Sequence, residues 1–473
     1  MSREYLVAGK AVDAVLRGVS FKHYCSTIRI GKIDFALACE TLRYKQVLQK
    51  LCEGACVTSK GLEISCTGIL YVYLYELLFG NGKIRGGGHV KRKIADVLES
   101  VKLVLANEMT LRGAQHHRDL LPASVLLAQE SHRQYLRINL LKLPRGGQGE
   151  NKAKIMASIL AQCPGAVLDE HIPNLVALPV KAPSFGEHSL VKQGALIIQD
   201  KASCFPSQLL MDEWLQEGEG GGGDIIDACA APGNKTTHLA AILHYASTTS
   251  HPQAEIHAFD KNSKRAELLK SRIAAAGGDS LIRVVNADFL ELDVTAYTHI
   301  RHILLDPSCS GSGMTKSLDR DGGTIEGSCS SSSSDEAKRV AKLRSFQVQA
   351  ILKAATFPKV VTIVYSTCSV YQEENESVVA EVLAQLKDAG WELKAPKRLE
   401  KWERRGLPFP PGLTATQSAC LIRSGHEEGT IGFFVAVLIR VSTDVDAAAK
   451  PATKKRLPSK LDQLAPKKPK GGS

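Results

Sequence analysis

Asp224-Ile225-Ile226-Asp227-Ala228-Cys229-Ala230-Ala231-Pro232-Gly233-Asn234-Lys235-Thr236-Thr237 is the stretch on which the reading of this chain turns. A short apolar, β-branched run ends in an acid, passes through small residues, proline and glycine, and opens a helix. That is the first strand–turn–helix unit of a doubly wound sheet. The small residues let a ligand approach the backbone closely, and the helix N-terminus offers free N–H groups. The spacing is neither Gly-x-Gly-x-x-Gly nor a P-loop, so phosphate binding is not indicated.

The same rhythm continues downstream. Candidate strands are 224–229, 256–260, 282–286, 302–306, 360–365 and 432–440, with helices between them. The fold class is therefore α/β, a Rossmann-like, mostly parallel sheet. Asp260 ends the second strand, where an acid can accept both hydroxyls of a ribose. Asp288, in Asn286-Ala287-Asp288, ends the third. Such acids also cap the helices that follow. Three of them at successive strand ends (Asp227, Asp260, Asp288) point instead to a ligand. An adenosine with a short charged tail fits, which makes S-adenosylmethionine the expected cofactor.

Two further strand ends carry thiols. Cys309 lies in Leu304-Leu305-Asp306-Pro307-Ser308-Cys309-Ser310-Gly311-Ser312-Gly313, and Cys368 in Val364-Tyr365-Ser366-Thr367-Cys368-Ser369. Both follow apolar, β-branched runs, so both are loop residues at the carboxyl edge where ligands bind in such sheets. Two thiols there, with Asp306 beside one of them, suggest covalent chemistry on an electrophilic carbon. The residues alone do not order the two cysteines.

Asp227–Thr236, Asp306–Gly313 and Tyr365–Ser369 together resemble the motifs of the Nop/Sun (Fmu-type) RNA cytosine-5 methyltransferases. Gln199-Asp200-Lys201-Ala202-Ser203, Gly432-Phe433-Phe434-Val435-Ala436 and Tyr135–Lys142 are similar to family segments too. The resemblance covers about residues 130–440. Ser308, where many relatives carry a second proline, looks most like the subgroup acting on large-subunit ribosomal RNA. The serine run after Cys309 and the poly-glycine before Asp224 depart from the family pattern as loop extensions.

What the resemblance implies can be stated residue by residue. Cys368 is the nucleophile that adds to carbon 6 of cytosine and makes carbon 5 reactive toward the methyl donor. Cys309 helps release the covalent product, and Asp306 is the acid or hydrogen-bond partner at N3. In DNA cytosine-5 enzymes the nucleophile sits in the loop corresponding to Cys309, and the roles would then reverse. Cys229, Ala230, Ala231, Pro232, Gly233, Asn234, Lys235, Asp260, Arg265, Asp288 and Asp306 form the cofactor set. Arg265 has a plainer alternative as a helix-surface arginine. The target base must be unstacked or single-stranded to be reached.

Composition agrees with a large globular enzyme. The chain has 473 residues, 44% of them apolar, and no run long enough to span a membrane. Met1–Val15 has no signal-peptide pattern. Twelve cysteines are too few for a disulfide scaffold and read as reduced thiols. Cys52-x-x-x-Cys56 with Cys66 lacks a histidine at a recognised spacing, so no metal is assigned. Four regions follow: a helical RNA-binding or accessory region over 1–128, a small α+β subdomain over 129–200, the catalytic domain over 201–442, and a basic tail over 443–473. Gly80–Lys93 reads as a solvated basic loop, with phosphate contact as the alternative, and helix resumes at 94. From Lys450 onward eight basic residues face one acid, so seven of the eleven net positive charges lie there. That tail reads as disordered, as a nuclear or nucleolar address, and as a source of non-specific RNA attraction. The expected partners are RNA, above all large-subunit rRNA, and pre-ribosomal particles, with no membrane and a monomeric protein. The rival readings are a tRNA or DNA cytosine methyltransferase and a non-catalytic ribosome-assembly protein.

Overall fold

The structure, a computed structural model, describes residues 3–441 apart from 18, 20, 22–23, 26–27, 29, 85–87, 123–125, 127–130, 132, 145–147, 218–221, 247–253, 315–333 and 409. The basic tail, the serine run and most of the poly-glycine stretch lie outside the described residues. So does the centre of the basic 80–93 segment.

Among the described residues the chain opens with the helices Arg3–Leu16, Lys32–Arg43, Lys45–Gly54, Thr67–Leu78 and His89–Arg112. They close their own core around Ala8, Val12, Leu48, Leu51, Ile69 and Leu74, separate from the cores of the sheets. The last helix starts at His89, five residues earlier than the sequence reading. Lys91 and Arg92 occupy its exposed first turn, ahead of the buried stripe that begins at Ile94. Polar residues in that turn hide a helix start from a reading that waits for apolar periodicity.

A small antiparallel sheet follows. Its strands are β1 (Tyr135–Ile138), β2 (Val167–Leu168), β3 (Leu175–Ala177) and β4 (Leu196–Ile198), in the order β2-β3-β1-β4. The helix Gln148–Gln162 packs Ile155 and Ile159 on Leu136, Ile138 and Val176. The strand expected over 135–142 stops at Ile138. Asn139 there caps a turn of 3-10 helix by accepting from the Leu141 N–H at 3.2 Å.

The main sheet contains β5 (Asp224–Asp227), β6 (Ile256–Phe259), β7 (Ile282–Val285), β8 (Ile300–Leu305), β9 (Thr362–Thr367), β10 (Trp391–Lys394), β11 (Ile422–Ser424) and β12 (Phe433–Arg440). The order is β10-β12-β9-β8-β5-β6-β7, and β11 pairs beside β10 on the same edge of β12. β5 to β9 run parallel, and β12 returns antiparallel. The sheet is doubly wound and mostly parallel, as the strand–turn–helix rhythm predicts. β10 and β11 are not visible in the sequence pattern, being four and three residues long.

Alternation along each strand builds the two faces. Ile225, Leu304 and Val364 face the helices Lys201–Gln216, Asn234–Ala246 and Ser263–Ala276. Ile226, Ile303 and Ile363 face Ser334–Ala355 and Glu376–Leu386. The chain leaves β5 toward β6 and later returns to β8 on its other side, so a crevice opens between the ends of β5 and β8. Parallel register sets Asp227 beside Leu304 and Leu305 beside Tyr365, which brings the loops after β5, β8 and β9 to one edge.

One ion pair secures the far side of that edge. Arg423 of β11 meets Glu376 through Nε–Oε1 at 2.7 Å and Nη2–Oε2 at 2.6 Å, and its Nη1 donates to the Val370 carbonyl at 3.1 Å. Arg423 is 3% exposed and Glu376 fully buried. Removing one partner leaves the other charge buried and unpaired. Arg423→Met or Glu376→Leu should each lower the urea unfolding free energy by about 3–5 kcal/mol, and the double change should recover most of that loss. Single losses below about 1 kcal/mol would mean that water reaches the pair.

Candidate active site

The turn after β5 is built to be tight. Gly233 has φ 104°, a conformation that other residues avoid, and a Cβ there would lie 2.9 Å from Leu269. Three carbonyls of this turn and the first helical turn are each held by a side chain from elsewhere. Arg265 Nη2 donates to Ala231 O at 2.7 Å, Arg137 Nη2 to Asn234 O at 3.3 Å and Ser207 Oγ to Lys235 O at 3.0 Å.

The three strand-end acids have different jobs. Asp227 is buried and accepts from Thr236 Oγ1 at 2.7 Å. Burial pushes its carboxyl up to about 7, against the pull of that hydroxyl. It braces the turn from behind and does not face a ligand. Asp288 caps the short 3-10 turn Phe289–Glu291 by accepting from Leu290 N at 3.1 Å, with Lys261 3.7 Å from its other oxygen. The capping role that competes with ligand binding is thus occupied at Asp288. Asp260 accepts from Asn262 N at 2.9 Å and pairs with Arg265 at 3.2 Å, so each oxygen keeps a further lone pair. Arg265 therefore bridges the turns after β5 and β6 and is not a free surface arginine.

Lys235 and Asp306 join the cofactor turn to the first cysteine loop. Their Nζ and Oδ2 lie 2.6 Å apart, and Ser366 Oγ donates to Asp306 Oδ1 at 2.8 Å. Burial pushes the Lys235 ammonium down, but the facing carboxylate outweighs it and the net direction is up. Lys235 is thus held charged. Ser366 is a functional residue that the cysteine motif does not single out; its signal is its place two residues before Cys368, which strand alternation puts on the same side.

The sulfurs of Cys309 and Cys368 are 3.3 Å apart. Hydrogen bonding to its neighbour drives the Cys309 thiol well above the ordinary thiol range, and burial adds to this. Cys368 moves the other way. The hydrogen bond with Cys309 lowers it most, burial and Asp306 oppose, and Lys235 lowers it further. With the Lys235 ammonium beside it, Cys368 is the thiol of the pair whose ionisation is favoured. Cys229, in the cofactor turn, is pushed far up by burial and is a neutral thiol.

The two cysteine loops are locked together. Ser312 Oγ lies 2.8 Å from Ser369 Oγ and accepts from Val370 N at 2.8 Å, while Gly313 N donates to Cys368 O at 2.9 Å. Gly432 N donates in turn to Gly313 O at 2.8 Å, and a Cβ on Gly313 would lie 2.0 Å from Gly432 O. Buried Glu374 accepts from Ser310 N at 2.8 Å and from Gln347 at 3.1 Å. Glu374 and Gln347 carry no local sequence signal, because their partners lie tens of residues away.

The donor set fits S-adenosylmethionine: a strand-end carboxylate with spare acceptor capacity at Asp260, helix N-terminal N–H groups after Gly233, and small residues between them. The described residues contain no cluster of three or more His, Cys, Asp or Glu able to hold a metal, and none of their helices is long and apolar enough to cross a membrane.

Comparison with known proteins gives the site its context. The family described as 16S rRNA methyltransferase RsmB/F matches residues 214–439, and the NOL1/NOP2/Sun domain family member 5, N-terminal domain, matches residues 32–121. The 28S rRNA (cytosine-C(5))-methyltransferase of Mus musculus is 34% identical, over 97% of this chain and 96% of its own length. The 25S rRNA (cytosine-C(5))-methyltransferase rcm1 of Schizosaccharomyces pombe is 35% identical, over 86% of this chain and 84% of its own. The tRNA (cytosine(72)-C(5))-methyltransferase NSUN6 of Homo sapiens is 28% identical over 52% and 53%. The solved structure of PH0851 shares the fold, with a TM-score of 0.55 at 17% identity over 93% of this chain and 99% of its own.

The thiol assignment predicts a pH profile. Iodoacetamide should modify Cys368 with an apparent pKa below that of an ordinary thiol, read by peptide mass as pH is varied. Cys309→Ala removes the donor, so the profile of Cys368 should move to higher pH and its rate at neutral pH should fall. An unchanged profile in Cys309→Ala would remove the Cys309 thiol as the cause.

Proposed function

The chain belongs to the NOL1/NOP2/Sun family of RNA (cytosine-C5) methyltransferases, and on that premise we propose that it forms 5-methylcytosine in large-subunit ribosomal RNA. The observation that carries the chemistry is the thiol pair, 3.3 Å apart at adjacent parallel strand ends beside the Lys235–Asp306 ion pair. The rRNA (cytosine-C5) methyltransferases that match nearly end to end, N-terminal region included, support the substrate class.

The residues divide the reaction among them. Carbon 5 of cytosine is a poor nucleophile until something adds at carbon 6. The Cys368 thiolate makes that bond, and charge moves toward N3. The Asp306–Lys235 pair meets N3. Asp306 accepts from Lys235 on one oxygen and from Ser366 on the other and keeps a further lone pair on each, and a proton passed to the ring through Asp306 is drawn from the charged lysine. Bound S-adenosylmethionine supplies an electrophilic methyl group for carbon 5. The carbon 5 proton then passes to solvent water, the electron pair of that bond re-forms the carbon 5–carbon 6 double bond and expels the Cys368 thiolate, and N3 returns its proton to the Lys235–Asp306 pair, with Cys309 assisting release. Asp260 receives the ribose hydroxyls, Arg265 holds the turn against it, and the residues from Cys229 to Lys235 line the cofactor's other end, with Asp288 at the rim. The enzyme works as a monomer on RNA within pre-ribosomal particles, in the nucleolus, and the basic tail serves as address and RNA tether.

Two experiments test this. Bisulfite sequencing of ribosomal and transfer RNA, from cells with and without the protein, should show one cytosine of large-subunit rRNA losing its methyl group. A loss confined to tRNA would overturn the substrate. Cys309→Ala, incubated with cofactor and target RNA, should accumulate a ribonuclease-sensitive covalent band on a denaturing gel. Cys368→Ala and the double variant should give no band and no methylation. A band from Cys368→Ala alone would reverse the two roles.

A further inference from the structure

β1 belongs to the small sheet, yet side chains at its end reach into the cofactor layer of the large one. Arg137 is 1% exposed. Its Nε donates to Gln199 Oε1 at 2.8 Å, and its Nη2 to Thr237 Oγ1 at 3.1 Å and to the Asn234 carbonyl at 3.3 Å. Its Nη1 is buried without a partner, and no carboxylate pairs with it among the described residues. Two residues on, Asn139 Nδ2 donates to Gly194 O at 2.8 Å and to Ala276 O at 2.9 Å, the last residue of the Ser263–Ala276 helix. The small sheet thus grips both helices that follow the cofactor-side strands β5 and β6, one at its first turn and one at its last.

A cation is a costly way to tie neutral groups together. Burial pulls the Arg137 guanidinium down to about 10, so it stays charged at neutral pH. Nearby His238 is driven to its neutral form by burial and by that charge. The charge lies against the first turn of the Asn234–Ala246 helix, whose N-terminus already carries partial positive charge. A cation at that end repels the helix dipole. It helps only if an anion is to be bound there, and then it adds to the N-terminal attraction.

We propose that Arg137 is a positioning residue of the methyl-donor site: it fixes the first turn of the cofactor helix and strengthens its hold on the carboxylate of the donor's amino-acid end. The proposal rests on the reading of the cofactor as S-adenosylmethionine. It makes the small subdomain the rear wall of the cofactor site.

The test compares two ligands that share the adenosine and differ in the carboxylate. S-adenosylhomocysteine carries it and 5′-methylthioadenosine does not. By titration calorimetry, Arg137→Met should weaken S-adenosylhomocysteine about tenfold, the order of a favourable helix-terminus charge interaction, and leave methylthioadenosine within about twofold. Arg137→Lys, which keeps the charge but not the fork, should recover most of the difference. In turnover, the KM for S-adenosylmethionine should rise while kcat and the KM for RNA hold. Should Arg137→Met fail to fold, Thr237→Val carries the test, with a smaller loss in the same sense. Equal weakening of both ligands, or of neither, in folded Arg137→Met, or in Thr237→Val where Arg137→Met does not fold, would overturn the proposal and make Arg137 an interdomain tie. Wild-type protein that binds neither ligand would instead overturn the cofactor reading itself.

Discussion

The ion pair between Lys235 and Asp306 is the contact on which the site depends. It spans the crevice between the ends of β5 and β8, where the parallel sheet reverses direction and leaves its edge open. Among the described residues no backbone hydrogen bond joins residues 229–235 to residues 306–314. A charged pair of 2.6 Å does, and it costs desolvation that only good geometry repays. The return is electrostatic as well as mechanical. Asp306 keeps Lys235 protonated, and that ammonium helps to hold the Cys368 thiolate. A cofactor turn, an acid and a thiol on three strands thereby share one electrostatic link.

The thiols need a different kind of support. Two sulfurs at 3.3 Å can share one proton only if neither loop drifts. The serine triad Ser310, Ser312 and Ser369 ties one loop to the other, and buried Glu374 holds Ser310 from below. Arg423 and Glu376 fasten the segment after Cys368 to the short strand β11. The catalytic edge is thus braced on the side that faces away from the cofactor by hydroxyls and one buried ion pair. A ligand can enter from the cofactor side without disturbing that lattice.

Much of this was legible in the sequence, for a physical reason. A buried parallel strand is a continuous β-branched run, and the loop after it is free to carry reactive groups. Runs ending in Asp227, Asp260, Asp306 and Cys368 therefore announce both the sheet and its functional edge. The residue pattern alone leaves the order of the two cysteines open, and the resemblance implies it; the Lys235 ammonium distinguishes them physically, since it lowers Cys368. What stayed hidden was whatever depends on partners far along the chain. Asp227, Asp260 and Asp288 look alike in sequence, yet one braces a turn, one keeps lone pairs for a ligand and one caps a helix. β10 and β11 exist only because β12 offers them an edge. Arg137 sits in an ordinary alternating strand, and its meaning comes from Asn234 and Thr237, about a hundred residues later.

Those distant ties explain why the small sheet and the large one act together. A strand-end site in an open sheet is only as rigid as its loops, and loops are the least stable part of a domain. Here three carbonyls of the cofactor turn and the first helical turn are taken by side chains from other elements: Arg265 from the next helix, Ser207 from the preceding one, Arg137 from the small sheet. With those carbonyls committed, the N–H groups on the other side are oriented before any ligand arrives. Binding then does not have to order the turn, and the affinity that would have been spent on that order is available for the cofactor itself.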